Sequence, residues 1–319
     1  MALVRLHSTE EWIARFGESR KPVATAIGNF DGMHRGHQEI LRRMIERARR
    51  ADLMVAVLTL YPHPARVLRP AEAPSLLATL EQRLAAFDAI GIDAALVLEF
   101  TAELARVSPE DFARRALVGA MRARAVLVGR NFRFGHRQSG DLNLLEEFGR
   151  RWGFDVEVVP PVTEGGIVIS STAIRQAVRE GRMEEARRML GRPFALEGEI
   201  QPGMGLGRKV VVATLNLKTQ QETLPKTGVY ATETVARDQR YRSVTNVGVR
   251  PTFDGAQMTI ESHLFDFDKH WTSGGMQVHF LARLRDEQKF SGPEALREQV
   301  MKDIEHAKEF FSRDRGTEF

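Results

Sequence analysis

The sequence predicts an α/β chain in two domains. A doubly wound parallel sheet is expected over residues 1–190, and an antiparallel β-barrel with a closing helix over residues 191–319. In the first part, short and nearly continuous apolar runs alternate with helical periods, as in a parallel sheet covered on both faces. At Gly191-Arg192-Pro193 that alternation stops. Beyond it come short runs punctuated by Gly203, Gly205, Gly207, Gly228, Gly248, Asp254-Gly255 and Gly274-Gly275, with no helical period.

In chain order, strands are expected at Val23–Ile27, Met54–Leu60, Ala94–Leu98, Ala125–Val128 and Asp155–Val159. Helices are expected between them at Gly36–Arg50, Thr79–Ile90, Pro109–Met121 (with Ser108 as N-cap) and Leu142–Trp152. Two more follow at Ser171–Glu180 and Met183–Leu190. Strand-like runs then occupy Ala195 to Arg285. The closing helix, Pro293 to Phe311, carries Leu296, Val300, Ile304, Ala307 and Phe311 at helical spacing.

Composition removes several classes of function. The 319 residues include no cysteine, which excludes disulfide scaffolds, thiolate-ligated metal centres and a cysteine nucleophile. No apolar run is long enough to span a bilayer, and the first residues turn acidic where a secretory signal needs an apolar stretch. A soluble, cytoplasmic protein without a membrane partner is the expectation. The 46 basic side chains exceed the 42 acidic ones by only four. The densest basic segment, LRRMIERARRAD, interleaves Arg with Leu41, Met44, Ile45 and Ala48, so it reads as an amphipathic helix with a solvated face rather than a nucleic-acid-binding stripe. No nucleic-acid partner is expected.

Two segments carry chemistry. Gly28-Asn29-Phe30-Asp31-Gly32-Met33-His34-Arg35-Gly36-His37 follows the first strong strand and opens a helix, where an open α/β sheet places its ligands. Glycines 28, 32 and 36 allow close backbone approach, and the helix start offers unpaired N–H groups to phosphate. His34 and His37, three apart on the first turn, can donate hydrogen bonds to charge developing during transfer. Ile169-Ser170-Ser171-Thr172-Ala173-Ile174-Arg175 again precedes a helix, with Arg175 one turn in from Ser171. Two such helix starts in one sheet suggest a nucleotide held from two sides, although Ser and Thr at a helix start also serve simply as caps.

With GNFDGMHRGH, YPHP, VGRNFRFG, ISSTAIR and LGRPF in the first half, and TLNL, LPKTGVYA, NVGVRPTF, ESHLFDF and LRDEQKF in the second, the chain resembles the bacterial bifunctional riboflavin kinase/FMN adenylyltransferase (FAD synthetase) family over nearly its whole length. The resemblance implies an N-terminal nucleotidyltransferase of the HxGH type that joins FMN to the α-phosphorus of ATP, and a C-terminal riboflavin kinase. It makes His34 and His37 catalytic residues on the ATP phosphates, in a nucleotide-binding segment with Gly28, Asn29, Phe30, Asp31, Gly32 and Gly36. Ser171, Thr172 and Arg175 join them, and Asn131 contacts the flavin, while Phe132 and Phe134 read as core.

In the kinase half the resemblance implies nucleotide contacts at Gly207 and Arg208, Mg²⁺ ligands at Thr214 and Asn216, and Glu261 as the base for the flavin 5′-hydroxyl. The i, i+2 spacing of Thr214 and Asn216 puts both on one face of a strand. Val211, Ala213 and Leu215 depart from the usual Gly, Pro and Ala, and Lys269–Ser273 replaces a shorter turn. The mixed charges Arg283-Leu284-Arg285-Asp286-Glu287 are ambiguous, since such a run is most often a surface network. Riboflavin, FMN and ATP are the expected small-molecule partners, with a monomer or weak homo-oligomer as the assembly. The alternative is a monofunctional FMN adenylyltransferase with an inactive kinase-like barrel.

Overall fold

The computed structural model describes residues 2–17, 21–202, 214–252, 255–269 and 271–313. Its contacts divide the chain into Met1–Ser170 and Ser171–Phe319.

The first unit contains β1 (Val4–Leu6), β2 (Val23–Ile27), β3 (Met54–Tyr61), β4 (Ala94–Glu99), β5 (Ala123–Gly129) and β6 (Asp155–Val159), paired in parallel in the order β1-β4-β3-β2-β5-β6. β2 is buried along its whole length because both faces are covered. The short α3 (Pro64–Leu68) follows β3. Ala24 and Ala26 pack with Leu41, Met44 and Ala48 of α2 (Arg35–Ala51) and Leu84 and Phe87 of α4 (Leu80–Ala89). Val23 and Ile27 face the other layer, with Trp12 of α1 (Thr9–Phe16) and Leu145 and Phe148 of α6 (Leu142–Trp152).

That layer also holds α5 (Pro109–Phe112), which widens into a π-helical stretch at Ala113–Ala120 instead of continuing as the single regular helix expected. The widening buries Ala113, Ala116, Leu117 and Ala120 together. β1 and α1 were not anticipated. Three residues of strand carry too little periodicity to be read, and α1 is anchored by one fully buried side chain, Trp12. On α2, arginines 42, 43 and 47 pair with Glu39, Glu46, Asp155 and Glu157, the solvated face expected of the basic segment.

From β2 the chain winds outward through β3 and β4, then returns to place β5 on the other side of β2. The loop after β2 therefore opens at the reversal of strand order, the ligand position of this architecture. A two-stranded hairpin, β7 (Thr163–Glu164) with β8 (Ile167–Val168), ends the unit.

The second unit opens with α7 (Ser171–Arg179) and α8 (Met183–Leu190). The strand before α7 belongs to the small hairpin, so the two helix starts do not share one sheet as expected. The barrel follows: β9 (Phe194–Gln201), β10 (Leu215–Thr219), β11 (Gly228–Ala236), β12 (Gln239–Thr252), β13 (Gly255–Leu264) and β14 (Gly275–Arg285), closed as β10-β13-β12-β11-β14-β9. Closure leaves no unpaired edge.

The barrel's buried interior is partly polar. Thr232 Oγ1 meets Ser243 Oγ at 2.8 Å and Thr245 Oγ1 at 2.7 Å, and Thr245 meets Ser262 at 2.7 Å, so these hydroxyls satisfy one another. Outside, α9 (Pro293–Arg313) lays Ile304, Ala307 and Phe311 on Val229, Ala231, Val244 and Leu281. Arg285 clamps it through bonds of 2.7 and 2.6 Å to the buried Asp303 carboxylate.

Candidate active sites

In the sheet unit, the loop from Gly28 to His34 links β2 to α2. Gly32 has φ +81, and a Cβ there would lie 2.8 Å from Leu77 Cδ1, so only glycine fits. Phe30 and Met33 also have positive φ, at 52 and 46, conformations costly for side chains of this size. Packing holds them: the Phe30 ring is buried in the core, edge-on to Phe87 and His37 with centroids 5.4 Å away in each case. The Phe30 side chain is thus core. Asp31 is buried, and its Oδ1 accepts from the amides of Leu77 (2.9 Å) and Ala78 (3.1 Å), fastening the neighbouring loop.

His34 caps α2. Its Nδ1 accepts from the His37 amide at 3.3 Å, which places the proton of the neutral ring on Nε2. The two imidazoles stack at 3.6 Å, with 18° between planes. Burial first, then the neighbouring His34 and Arg83 charges, push the His37 pKa well below its ordinary value. Stacked at a helix start, the two imidazoles stand where their N–H groups can donate to an anion, and the lowered pKa of His37 favours its neutral form. Gly36 permits the stacking, since a Cβ there would lie 3.1 Å from the His34 ring.

Arg35 ties this turn to the β7–β8 hairpin through Glu164 at 2.5 Å. Asn131 is exposed in the loop after β5, and Phe134 is buried and stacked on Phe132, as expected of core. Arg83 was missed. It sits on α4 at 3% exposure, and Nη1 donates to the Asn29 carbonyl at 2.7 Å. The signal was its place in Leu80-Arg83-Leu84-Phe87, a charged residue on the buried stripe of an amphipathic helix.

Ser171 and Thr172 form the first turn of α7 in the second unit, and Arg175 Nη1 lies 3.4 Å from Thr172 Oγ1. Gly207, Arg208, Val211 and Ala213 lie outside the described residues.

The barrel's candidate site is a cavity of about 300 Å³ between its outer face and α9. Strand register builds it: Asn216 and Asn246 both lie opposite Glu261, so the three share one face across β10, β13 and β12. Thr214, Asn246, Glu261, His263, Arg285 and Glu287 line its polar side, and Val229, Val244, Phe290, Leu296 and Val300 its apolar side.

The apolar stripe read on the closing helix therefore divides. Its lower half is core, while Leu296 and Val300 roof the cavity. Leu215 is buried, its side chain opposite in direction to Thr214 and Asn216, so this departure does not crowd the site. The charged run also divides. Arg283 joins Asp286 and Lys226 in an ion-pair network, whereas Arg285 and Glu287 line the cavity, which resolves the ambiguity of the run. In the altered turn, Trp271 packs on Phe267 at 4.8 Å. Asn246 and Glu287 were not singled out from sequence, because only strand and loop placement brings them to Glu261.

Residues 17–173 match the family model described as FAD synthetase, and residues 190–311 match that described as riboflavin kinase. The bifunctional riboflavin kinase/FMN adenylyltransferase of Escherichia coli (strain K12) is 35% identical over 286 residues, covering 89% of this chain and 91% of its own. That of Pseudomonas fluorescens is 37% identical over 292 residues, covering 91% and 93%. A crystal structure described as a macrolide-efflux protein from Streptococcus pneumoniae has 28% identity and a TM-score of 0.85, covering 97% of this chain and 99% of its own. No helix among the described residues is long and apolar enough to cross a membrane. The fold and its two sites define a two-part transferase. The chain belongs to the bifunctional riboflavin kinase/FMN adenylyltransferase family.

Proposed function

We propose that this chain converts riboflavin to FMN in the barrel unit and FMN to FAD in the sheet unit, using ATP in both steps. The observation that carries the reading is the pairing of Thr214 and Glu261 in one half-apolar cavity of the same chain that stacks His34 on His37 at the sheet's reversal point. In the barrel, the apolar wall suits a flat flavin ring. Glu261 takes the proton of the 5′-hydroxyl as its oxygen attacks the γ-phosphorus of ATP, and ADP leaves. The oxygen donors Thr214 and Asn216 suit a hard divalent cation such as Mg²⁺, which would neutralise phosphate charge when bound. In the sheet unit, an FMN phosphate oxygen attacks the α-phosphorus of ATP and pyrophosphate leaves. His34 and His37 donate to the charge that develops, and no covalent enzyme intermediate is required.

The remaining assignments belong to the same reading. Ser171, Thr172 and Arg175 bind phosphate through hydroxyl and guanidinium donors, Asn131 contacts flavin, and the protein acts in the cytoplasm. Incubating the protein with riboflavin, ATP and Mg²⁺ and separating the flavins should yield FMN and then FAD. Conversion of FMN to FAD with none of riboflavin to FMN would leave only the adenylyltransferase.

The halves are proposed to fold separately, with a kinase fragment starting at Gly191. α7 and α8 nevertheless pack on the barrel: the Lys226 amide donates to the Val178 carbonyl at 3.2 Å, and the α7–α8 turn at Gly181 lies against Arg283. A fragment from Ser171 should therefore phosphorylate riboflavin and melt higher than one from Gly191. Equal melting temperatures would show that α7 and α8 add nothing to the barrel.

A further inference from the structure

Arg83 poses a problem that the fold alone does not solve. Its guanidinium is buried, yet among the described residues no carboxylate lies within ion-pair distance of it. Nη1 has the Asn29 carbonyl, the face stacks 6.0 Å from the Tyr61 ring, and Nε is buried with no hydrogen-bond partner among the described residues. Asp31 offsets the charge only from beyond contact, while burial pulls the Arg83 pKa below its ordinary value. Keeping a cation out of water without a contacting anion is costly, and protein interiors avoid it unless a ligand supplies the counter-charge. The place is telling: Arg83 abuts Asn29, within the loop that carries His34 and His37, and its charge is felt at His37.

We propose that Arg83 is a phosphate-binding residue of the adenylyltransferase site, its missing counter-ion being a phosphate group of ATP or FMN. This rests on the reading of the Gly28–His37 loop as the nucleotide site. A planar guanidinium with donors to spare can bind phosphate oxygens directly, and in a dry site the charge acts at nearly full strength. The helix that brings it, α4, is fixed by a capping box at Thr79 and Gln82, so the cation is held in place before the substrate arrives.

The test compares Arg83→Met and Arg83→Lys with the parent in FAD formation from FMN, in pyrophosphate binding by calorimetry, and in melting temperature without ligand. Arg83→Met should lose about 10²–10³ in kcat/KM and bind pyrophosphate or FMN measurably more weakly. Its unliganded melting temperature should stay level or rise, because an unpaired buried charge has been removed. Arg83→Lys, which keeps the charge, should recover at least tenfold of the loss. A KM rise confined to ATP, with weakened pyrophosphate binding, assigns the triphosphate. A rise confined to FMN assigns the flavin phosphate.

Parent turnover in Arg83→Met would overturn the proposal. So would equal loss in Met and Lys variants accompanied by a lower unliganded melting temperature, which marks a buttress for the Asn29 loop. His37→Ala run alongside separates the two readings. If it forms FAD at the parent rate, the loop assignment fails, while the binding measurements on Arg83 still decide the role of the cation.

Discussion

The proposed phosphate sites of the two units are assembled in opposite ways. In the sheet unit, His34 and His37 are neighbours on one helical turn, and one loop with strained Phe30 and Met33 backbones presents them. In the barrel unit, Thr214, Asn246, Glu261, Glu287 and Leu296 come from three strands or their ends, a loop and a helix, gathered by register around one cavity. The first site depends on local backbone geometry, the second on long-range pairing and on the clamp that seats α9. A change at either site should therefore leave the other reaction untouched, and the barrel site alone should respond to changes in helix docking.

The largest effect is expected at Glu261. Glu261→Gln should lower FMN formation by about 10²–10⁴ with little change in riboflavin affinity, because the amide keeps the shape. FAD formation from supplied FMN should not change. Equal FMN turnover in parent and variant would remove Glu261 from the mechanism and break the contrast. The mirror experiment is His37→Ala, which should cost FAD formation about 10²–10³ while FMN still accumulates from riboflavin.

Asp303 probes the clamp. Asp303→Ala leaves Arg285 half-buried beside the cavity without its carboxylate, and should destabilise the barrel by about 3–5 kcal/mol. Denaturant unfolding of a fragment from Ser171, in which Trp271 is the one tryptophan, reports on that unit. Loss of barrel stability together with unchanged FAD formation sharpens the comparison; no loss would show that apolar packing alone holds α9.

A smaller, pH-dependent effect belongs to His279 on β14. Burial, then the charges of Arg240 and Arg192, hold its pKa down to about 4 against an ordinary 6.5. Between those values the unfolded chain binds a proton that the folded barrel refuses. Stability is therefore complete above 6.5 and falls as pH drops toward 4, by about 3 kcal/mol at most. His279→Gln should flatten that part of the barrel's stability curve, and a slope unchanged in the variant would place the acid sensitivity elsewhere.

The same contrast explains what could be read from sequence. Gly28–His37 was legible because its residues act within one turn of each other, and the closed barrel was legible from turn spacing and the loss of helical period. Asn246 and Glu287 were not, since nothing in a strand's own sequence states which residue lies opposite Glu261. Arg83 escaped because a lone arginine beside Glu81 and Gln82 looks solvated until its place on the Leu80, Leu84 and Phe87 stripe is weighed. The charged run at the end of β14 stayed ambiguous for a related reason: the partner of Arg285 is Asp303, on a helix further along the chain.

The most direct test of two separable sites is complementation in solution. Neither His37→Ala nor Glu261→Gln alone should turn riboflavin into FAD: the first should stop at FMN and the second should leave riboflavin unchanged. Mixed in one tube with riboflavin, ATP and Mg²⁺, they should produce FAD, because FMN made by one chain serves the intact adenylyltransferase of the other. Failure of the mixture, with each variant folded and active in its remaining half-reaction on added substrate, would contradict the account.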